Sequence, residues 1–176
     1  MTRQQAIHRA QQDADNGQLA ATLARRVAWR TESDLGPDAP EATHAALQRY
    51  LRDEMQPCLE GLGFAVEIHA NPIPGGGPFL VARRVEDAAL PTVLTYGHGD
   101  VVNGQTAQWR EGLSPWALTP EGDRWYGRGT ADNKGQHSVV LGALAHVLQA
   151  REQRLGYNLT VLLEMGEEAG SPGLAE

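Results

Sequence analysis

At 176 residues, 41% of them hydrophobic, the chain has material for one domain with a real core, and its length does not call for a second. A formal charge of -7 and the lack of any run of Lys or Arg argue against nucleic acid and anionic membrane surfaces as partners. A single cysteine, Cys58, excludes an internal disulfide; the polar stretch from Met1 to Gly17 lacks the apolar core of a secretory signal and no stretch is long enough to span a bilayer, so a cytoplasmic setting is expected.

The spacing of Ile7, Ala10 and Ala14, then Leu19, Leu23 and Val27, is helical across residues 2–29, with Asp15-Asn16-Gly17 dividing it into a packing pair. After a loop over residues 31–40, a second amphipathic helix is predicted over 41–62, carrying Leu47, Tyr50, Leu51, Met55 and Leu59, with Pro57 as its point of interruption. Residues 64–70 and 79–85 read as strands. Their connector holds Gly75-Gly76-Gly77, which leads into a strand and not a helix N-terminus, so it is not read as a phosphate cradle. Residues 92–96 form a third strand, apolar enough to be buried in a parallel sheet. Residues 101–125 are predicted as a long structured loop ending in a turn at Glu121-Gly122-Asp123, of a length that tends to be functional. The helix predicted over 135–149 is apolar on most faces, Val139 and Val140 included, which implies burial. A last strand covers 159–165, its Asn158-Leu159-Thr160 sequon is read as accidental, and Ser171-Pro172 reads as the start of another helix. The alternation gives an α/β fold with a mostly parallel or mixed sheet flanked by helices.

Three stretches stand apart from packing sequence. Tyr126-Gly-Arg-Gly-Thr-Ala-Asp132-Asn-Lys-Gly135 carries Asp132 on a sharp entry into the apolar helix; His98-Gly99-Asp100 ends the third strand; Glu167-Glu168 follows the last. Open α/β sheets collect ligands on such loops, and the cation that satisfies mixed imidazole and carboxylate groups most simply is a divalent transition metal. Residues two apart in a strand face one side, so Asp100 can stand behind His98 and accept from the ring nitrogen that faces away from the metal. Asp132 has two oxygens and can bridge two ions roughly 3.5 to 4 Å apart. Of two adjacent glutamates whose side chains diverge, one can bind metal while the other serves as a general base. His8, His44 and His69 lack acidic neighbours at ligand spacing and are read as structural or exposed, as is His146; His137, in the first turn after Asp132, is kept as a candidate neighbour of the site.

The order Tyr-Gly-His98-Gly-Asp100-Val-Val, Trp109, Trp125-Tyr126-Gly-Arg128-Gly-Thr-Ala-Asp132-Asn-Lys134-Gly and Gly-Glu167-Glu168-Ala-Gly-Ser-Pro-Gly resembles the dizinc amidohydrolase and metallopeptidase family. That family includes acetylornithine deacetylase, succinyl-diaminopimelate desuccinylase, aminoacylase, glutamate carboxypeptidase and the carnosine-type dipeptidases. The resemblance implies a zinc-exopeptidase-like catalytic domain that hydrolyses an amide bond in a small peptide or N-acyl amino acid. It implies two Zn2+ ions per complete site, with Co2+ or Mn2+ as substitutes. His98 would bind the first ion, Asp132 bridge both and Glu168 bind the second, with Glu167 as general base, Asp100 orienting His98, and the Asp132-Asn133 peptide bond cis. Asn103 stands where members often carry Pro. The family also supplies a further acidic ligand, a final His and an inserted dimerising domain in a longer chain. Residues 1–176 are therefore expected to be the N-terminal portion of a catalytic domain, inactive alone, within a full-length homodimer. The alternatives are an inactive remnant or metal-binding interaction module with the same residues, and a mononuclear zinc hydrolase completed by a partner chain.

Overall fold

The computed structural model describes residues 3–176. The N-terminal pair appears as α1 (Arg3–Asp15) and α2 (Gln18–Val27), parted at Gly17. The next helix is not broken at Pro57. It runs through α3 (Glu41–Arg49), a π-helical turn (Tyr50–Met55) and α4 (Gln56–Gly61). Pro57 lies just past the π turn, and its missing N–H and its ring, which would crowd the Asp53 carbonyl of a regular α-helix, fit a widened turn directly upstream. Across the widened turn Tyr50, Leu51 and Met55 remain buried with Leu47 and Leu59.

Strands β1 (Ala65–His69), β2 (Phe79–Arg84) and β3 (Thr92–His98) are followed by a hairpin of β4 (Thr119–Glu121) and β5 (Arg124–Tyr126). The hairpin lies inside the segment expected to be irregular, and Gly122 closes its turn at φ 60°. Helix α5 (Lys134–Ala150) and β6 (Asn158–Glu164) complete the layer, with sheet order β1-β2-β6-β3. Of the two sheet types expected, the mixed one is present and the mostly parallel one is not. Only β3 and β6 run parallel, joined through the crossover helix α5, whereas β1 with β2 and β2 with β6 are antiparallel.

Every strand residue of the main hydrophobic cluster, including Leu80, Ala82, Leu159, Val161 and Leu163, lies on one face, where Leu47, Tyr50, Leu51, Met55, Leu59, Leu141, Leu144 and Leu148 meet it. Two burial expectations fail. β3 is not a central strand: it pairs with β6 alone, and Val93, Leu94 and Tyr96 are 43%, 64% and 51% exposed. Helix α5 buries one stripe against the sheet and touches α1 and α2, yet Val139 and Val140 stay exposed. No helix starts at Ser171-Pro172; a 3₁₀ turn (Glu167–Ala169) occupies the preceding residues, and Ser171 has φ 53°. The Asn158 amide is spent on the β2–β3 connection, accepting from the Glu86 N–H at 2.8 Å and donating to the Asp87 carbonyl at 2.9 Å. Among the described residues, no helix is long and apolar enough to cross a membrane.

Gly135 shows how tightly the entry to α5 is made. Its N–H donates to the Gly129 carbonyl at 3.0 Å, and a Cβ there would stand 1.8 Å from the Thr130 carbonyl oxygen. Alanine normally favours a helix over glycine, but here the collision is with backbone. Gly135→Ala is therefore expected to destabilise the fold by about 1–3 kcal/mol, read by urea unfolding. A stability at or above the parent's would mean that the turn has room the geometry denies.

Candidate metal centre

β3 and β6 run parallel and end side by side, with His98 and Glu164 as register partners, so their following loops emerge at one end of the sheet beside the entry to α5. Three ligand atoms meet there. One atom each from His98, Asp132 and Glu168 lies within 4.8 Å of the others. His98 Nε2 is 3.0 Å from Asp132 Oδ1 and 3.8 Å from Glu167 Oε2. The sequence placed these residues on separate loops, and the fold brings them together.

His98 is buried and held from behind. Its Nδ1 lies 3.0 Å from the Asp100 carbonyl oxygen and 3.3 Å from Asp100 Oδ1. The Asp100 carboxylate, fully buried, also accepts the N–H groups of Glu167 and Glu168 at 3.3 and 3.1 Å, so one side chain both braces the imidazole and fixes the glutamate loop. The second duty was not legible from the His-x-Asp spacing. The loop after His98 is tied to the N-terminal segment, with Thr31 Oγ1 donating to the Gly99 carbonyl at 2.6 Å and the Val101 N–H to the Thr31 carbonyl at 2.9 Å.

Asp132 stands at the head of a loop whose Gly129 takes φ 86°, a conformation natural to glycine. The Asp132-Asn133 peptide is cis, as the resemblance implies. Asn133 Oδ1 accepts the His98 N–H at 3.3 Å, stitching this loop to the end of β3. Lys134 turns inward from the same loop, fully buried, its Nζ donating to the Trp29 carbonyl at 2.7 Å and lying 5.2 Å from the centre of the Tyr50 ring. Burial lowers its pKa to about 7 against the opposing pull of Asp100.

His137 does not join the cluster. Its Nε2 pairs with the Tyr50 hydroxyl at 2.8 Å beneath the site, and burial with the charges of Arg26 and Lys134 holds its pKa well below the ordinary value. Of the other histidines, His69 lies 3.3 Å from Glu67 and His146 3.0 Å from Asp13; both have an acidic neighbour, and both lie outside the cluster.

The donor set fits a divalent cation. One imidazole and two carboxylates suit zinc, cobalt or manganese, and their ligand atoms lie within 4.8 Å of one another. Charge points the same way. Burial raises the Glu168 pKa; His98 pulls it down, but the charges of Asp132, Asp100 and Glu167 add to the rise. Burial alone would lower the His98 pKa, yet hydrogen bonding and charge from Asp100 and Asp132 push it up to about 9. The site is thus arranged to hold positive charge at its centre, which a metal supplies in place of the proton.

The model of peptidase family M20/M25/M40 matches residues 94–176, the span that contains all five site residues. Over that span the chain is similar to this peptidase family. It is 41% identical over 107 residues to the Beta-Ala-His dipeptidase of Mus musculus, covering 60% of this chain and 20% of the relative. It is 40% identical over 113 residues to the cysteinylglycine-S-conjugate dipeptidase of Corynebacterium striatum, covering 64% of this chain and 24% of the relative. The fold is similar to the solved structure of human carnosine dipeptidase 1, with a TM-score of 0.83 and 27% identity over 97% of this chain and 36% of that one. The chain therefore spans about a fifth to a quarter of these curated relatives and about a third of the solved one.

Proposed function

We propose that the protein hydrolyses the amide bond of a small peptide in a metal-dependent reaction, with His98, Asp132 and Glu168 holding metal and Glu167 acting as general base. The observation that carries this reading is the convergence of those three ligand atoms within 4.8 Å, with Glu167 beside them. Similarity to that family supports a metallopeptidase, and relatives named as dipeptidases favour a dipeptide-sized substrate, with N-acyl amino acids next. A divalent ion bound there would supply a water acidified toward neutral pH and a Lewis acid for the scissile carbonyl. Asp132, with two carboxylate oxygens, is the residue able to bridge two ions, the form in which zinc would sit; Co2+ or Mn2+ would also suit the donors.

The chain's own groups divide the remaining work. Asp100 fixes the His98 ring through Nδ1 and leaves Nε2 facing Asp132. Glu167 takes a proton from water on one carboxylate oxygen and passes it to the departing amine nitrogen. Its side chain is 42% exposed, so it can reach both the cluster and an incoming peptide.

We also propose that residues 1–176 are the N-terminal portion of a larger catalytic unit, which as a whole forms a homodimer. The open edge of β3 and an apolar groove of about 340 Å³ between β3 and α5, lined by Val93, Thr95, Val140, Leu144 and Val161, support the first part.

The direct test is hydrolysis of a panel of dipeptides and N-acyl amino acids by the full-length protein with zinc, cobalt or manganese, beside metal analysis of Asp132→Ala and Glu168→Ala. Both variants are expected to lose bound metal. Retention of tightly bound ions in either would remove that residue from the ligand set.

A further inference from the structure

Glu164 ends β6 fully buried, and the chemistry above leaves it unused. It is the register partner of His98 in the parallel ladder, so the two side chains share a face, and its carbonyl accepts the Gly99 N–H at 2.9 Å. Its Oε1 accepts from Ser171 Oγ at 2.9 Å and from the Tyr96 hydroxyl, while Oε2 is buried without a partner. A buried carboxylate with an unsatisfied oxygen costs stability, and an apolar side chain of the same volume would avoid that cost.

What the carboxylate holds is the turn bearing the two glutamates. The Ser171 N–H closes on the Gly166 carbonyl at 2.9 Å and the Gly170 N–H on the Glu167 carbonyl at 2.9 Å, so Gly166 to Ser171 form one folded unit. Asp100 grips its leading side through the N–H groups of Glu167 and Glu168. Glu164 grips its trailing side through Ser171, and Asn71 Nδ2 donates to the Pro172 carbonyl at 2.7 Å just beyond. Tyr96, from the neighbouring strand, donates to the same Oε1 and fixes the direction in which Glu164 points.

We propose that Glu164, braced by Tyr96, is a positioning residue that sets where the Glu167 and Glu168 carboxylates stand relative to His98. This rests on the reading of Glu168 as a metal ligand and Glu167 as a base. Fold stability and site geometry then respond in opposite senses to loss of the acceptor. Glu164→Met keeps the volume without an acceptor, and Tyr96 and Ser171, residues that are not themselves buried, can turn their freed hydroxyls to water. Glu164→Gln retains a carbonyl oxygen able to accept from both.

The experiment compares the full-length parent protein with these two variants by thermal melting, zinc affinity in chelator competition, the visible spectrum of bound Co2+, and amide hydrogen exchange of Gly166 to Ser171. Glu164→Met is expected to melt at or above the parent temperature, to bind zinc about tenfold more weakly, to shift the Co2+ band and to exchange faster in the turn. Glu164→Gln is expected to restore affinity, spectrum and exchange. Parent affinity and spectrum in Glu164→Met would overturn the proposal. So would a fall in affinity that tracks an equal fall in melting temperature in both variants, which is the signature of a merely structural residue. If the parent takes up no zinc, the metal reading fails on that result alone, and exchange still judges the clamp: unchanged rates in Glu164→Met would refute it.

Discussion

Glu167→Ala in the full-length protein is expected to lower kcat about 10²- to 10⁴-fold while leaving metal content unchanged. Glu167 faces the cluster without belonging to it: its Oε2 lies 3.8 Å from His98 Nε2, while the three ligand atoms that converge come from His98, Asp132 and Glu168. Its backbone N–H is fixed on Asp100, so truncating the side chain leaves the loop anchored and removes only the mobile proton carrier. Steady-state kinetics with metal analysis of the same preparation checks both halves. Stoichiometric loss of metal would reassign Glu167 as a ligand, and an unchanged kcat would remove it from the chemistry.

The largest effect on stability is expected away from the site, where Glu54→Ala should cost about 3–5 kcal/mol. Glu54, in the π-helical turn, binds Arg26 Nε at 3.1 Å and Arg25 Nε at 2.8 Å. Arg26 is 1% exposed, and its Nη1 donates to Ser138 Oγ at 2.7 Å, which in turn donates to the Lys134 carbonyl at 2.6 Å. The carboxylate therefore neutralises a guanidinium that has no access to water, at the point where α2, the π turn and α5 meet. Removing it leaves a buried charge without a counter-ion. Arg25, with its side chain 57% exposed, supplies the contrast: Arg25→Ala should cost under about 1 kcal/mol, because an exposed partner is screened and already solvated. Urea unfolding of the two variants separates the cases, and comparable losses would contradict the burial argument.

Local chemistry was legible in the residues themselves. Helix and strand periods located α1, α2, α5 and the four main strands to within a few residues, because period and capping are short-range properties. The five candidate residues stood out for the same reason: a His-x-Asp at the end of an apolar strand, an Asp between glycines at a helix entry and a Glu pair after another strand are unusual as packing sequence. Their convergence needed only the rule that parallel strands deliver their loops to one end, and β3 and β6 do so.

What the chain decided only in three dimensions is burial and partnership. The apolar sequence of β3 reads as a central strand, but an edge position depends on what lies beside it, and only β6 does. Val139 and Val140 look like core residues in a helix apolar on most sides, yet α1 and α2 cover just part of that surface. The π turn buries Tyr50 and Met55, sets Glu54 against two arginines and lies directly upstream of Pro57, whose ring would crowd the Asp53 carbonyl of a regular α-helix. Tyr50 was legible as a core position and Lys134 as part of a motif, but the polar partners of Lys134, Tyr50 and Glu164 were not, because a polar side chain enters a core only where the fold supplies its partners. Those partners, Trp29, His137 and Ser171, lie 105, 87 and 7 residues away along the chain and become neighbours only when the sheet and helices close.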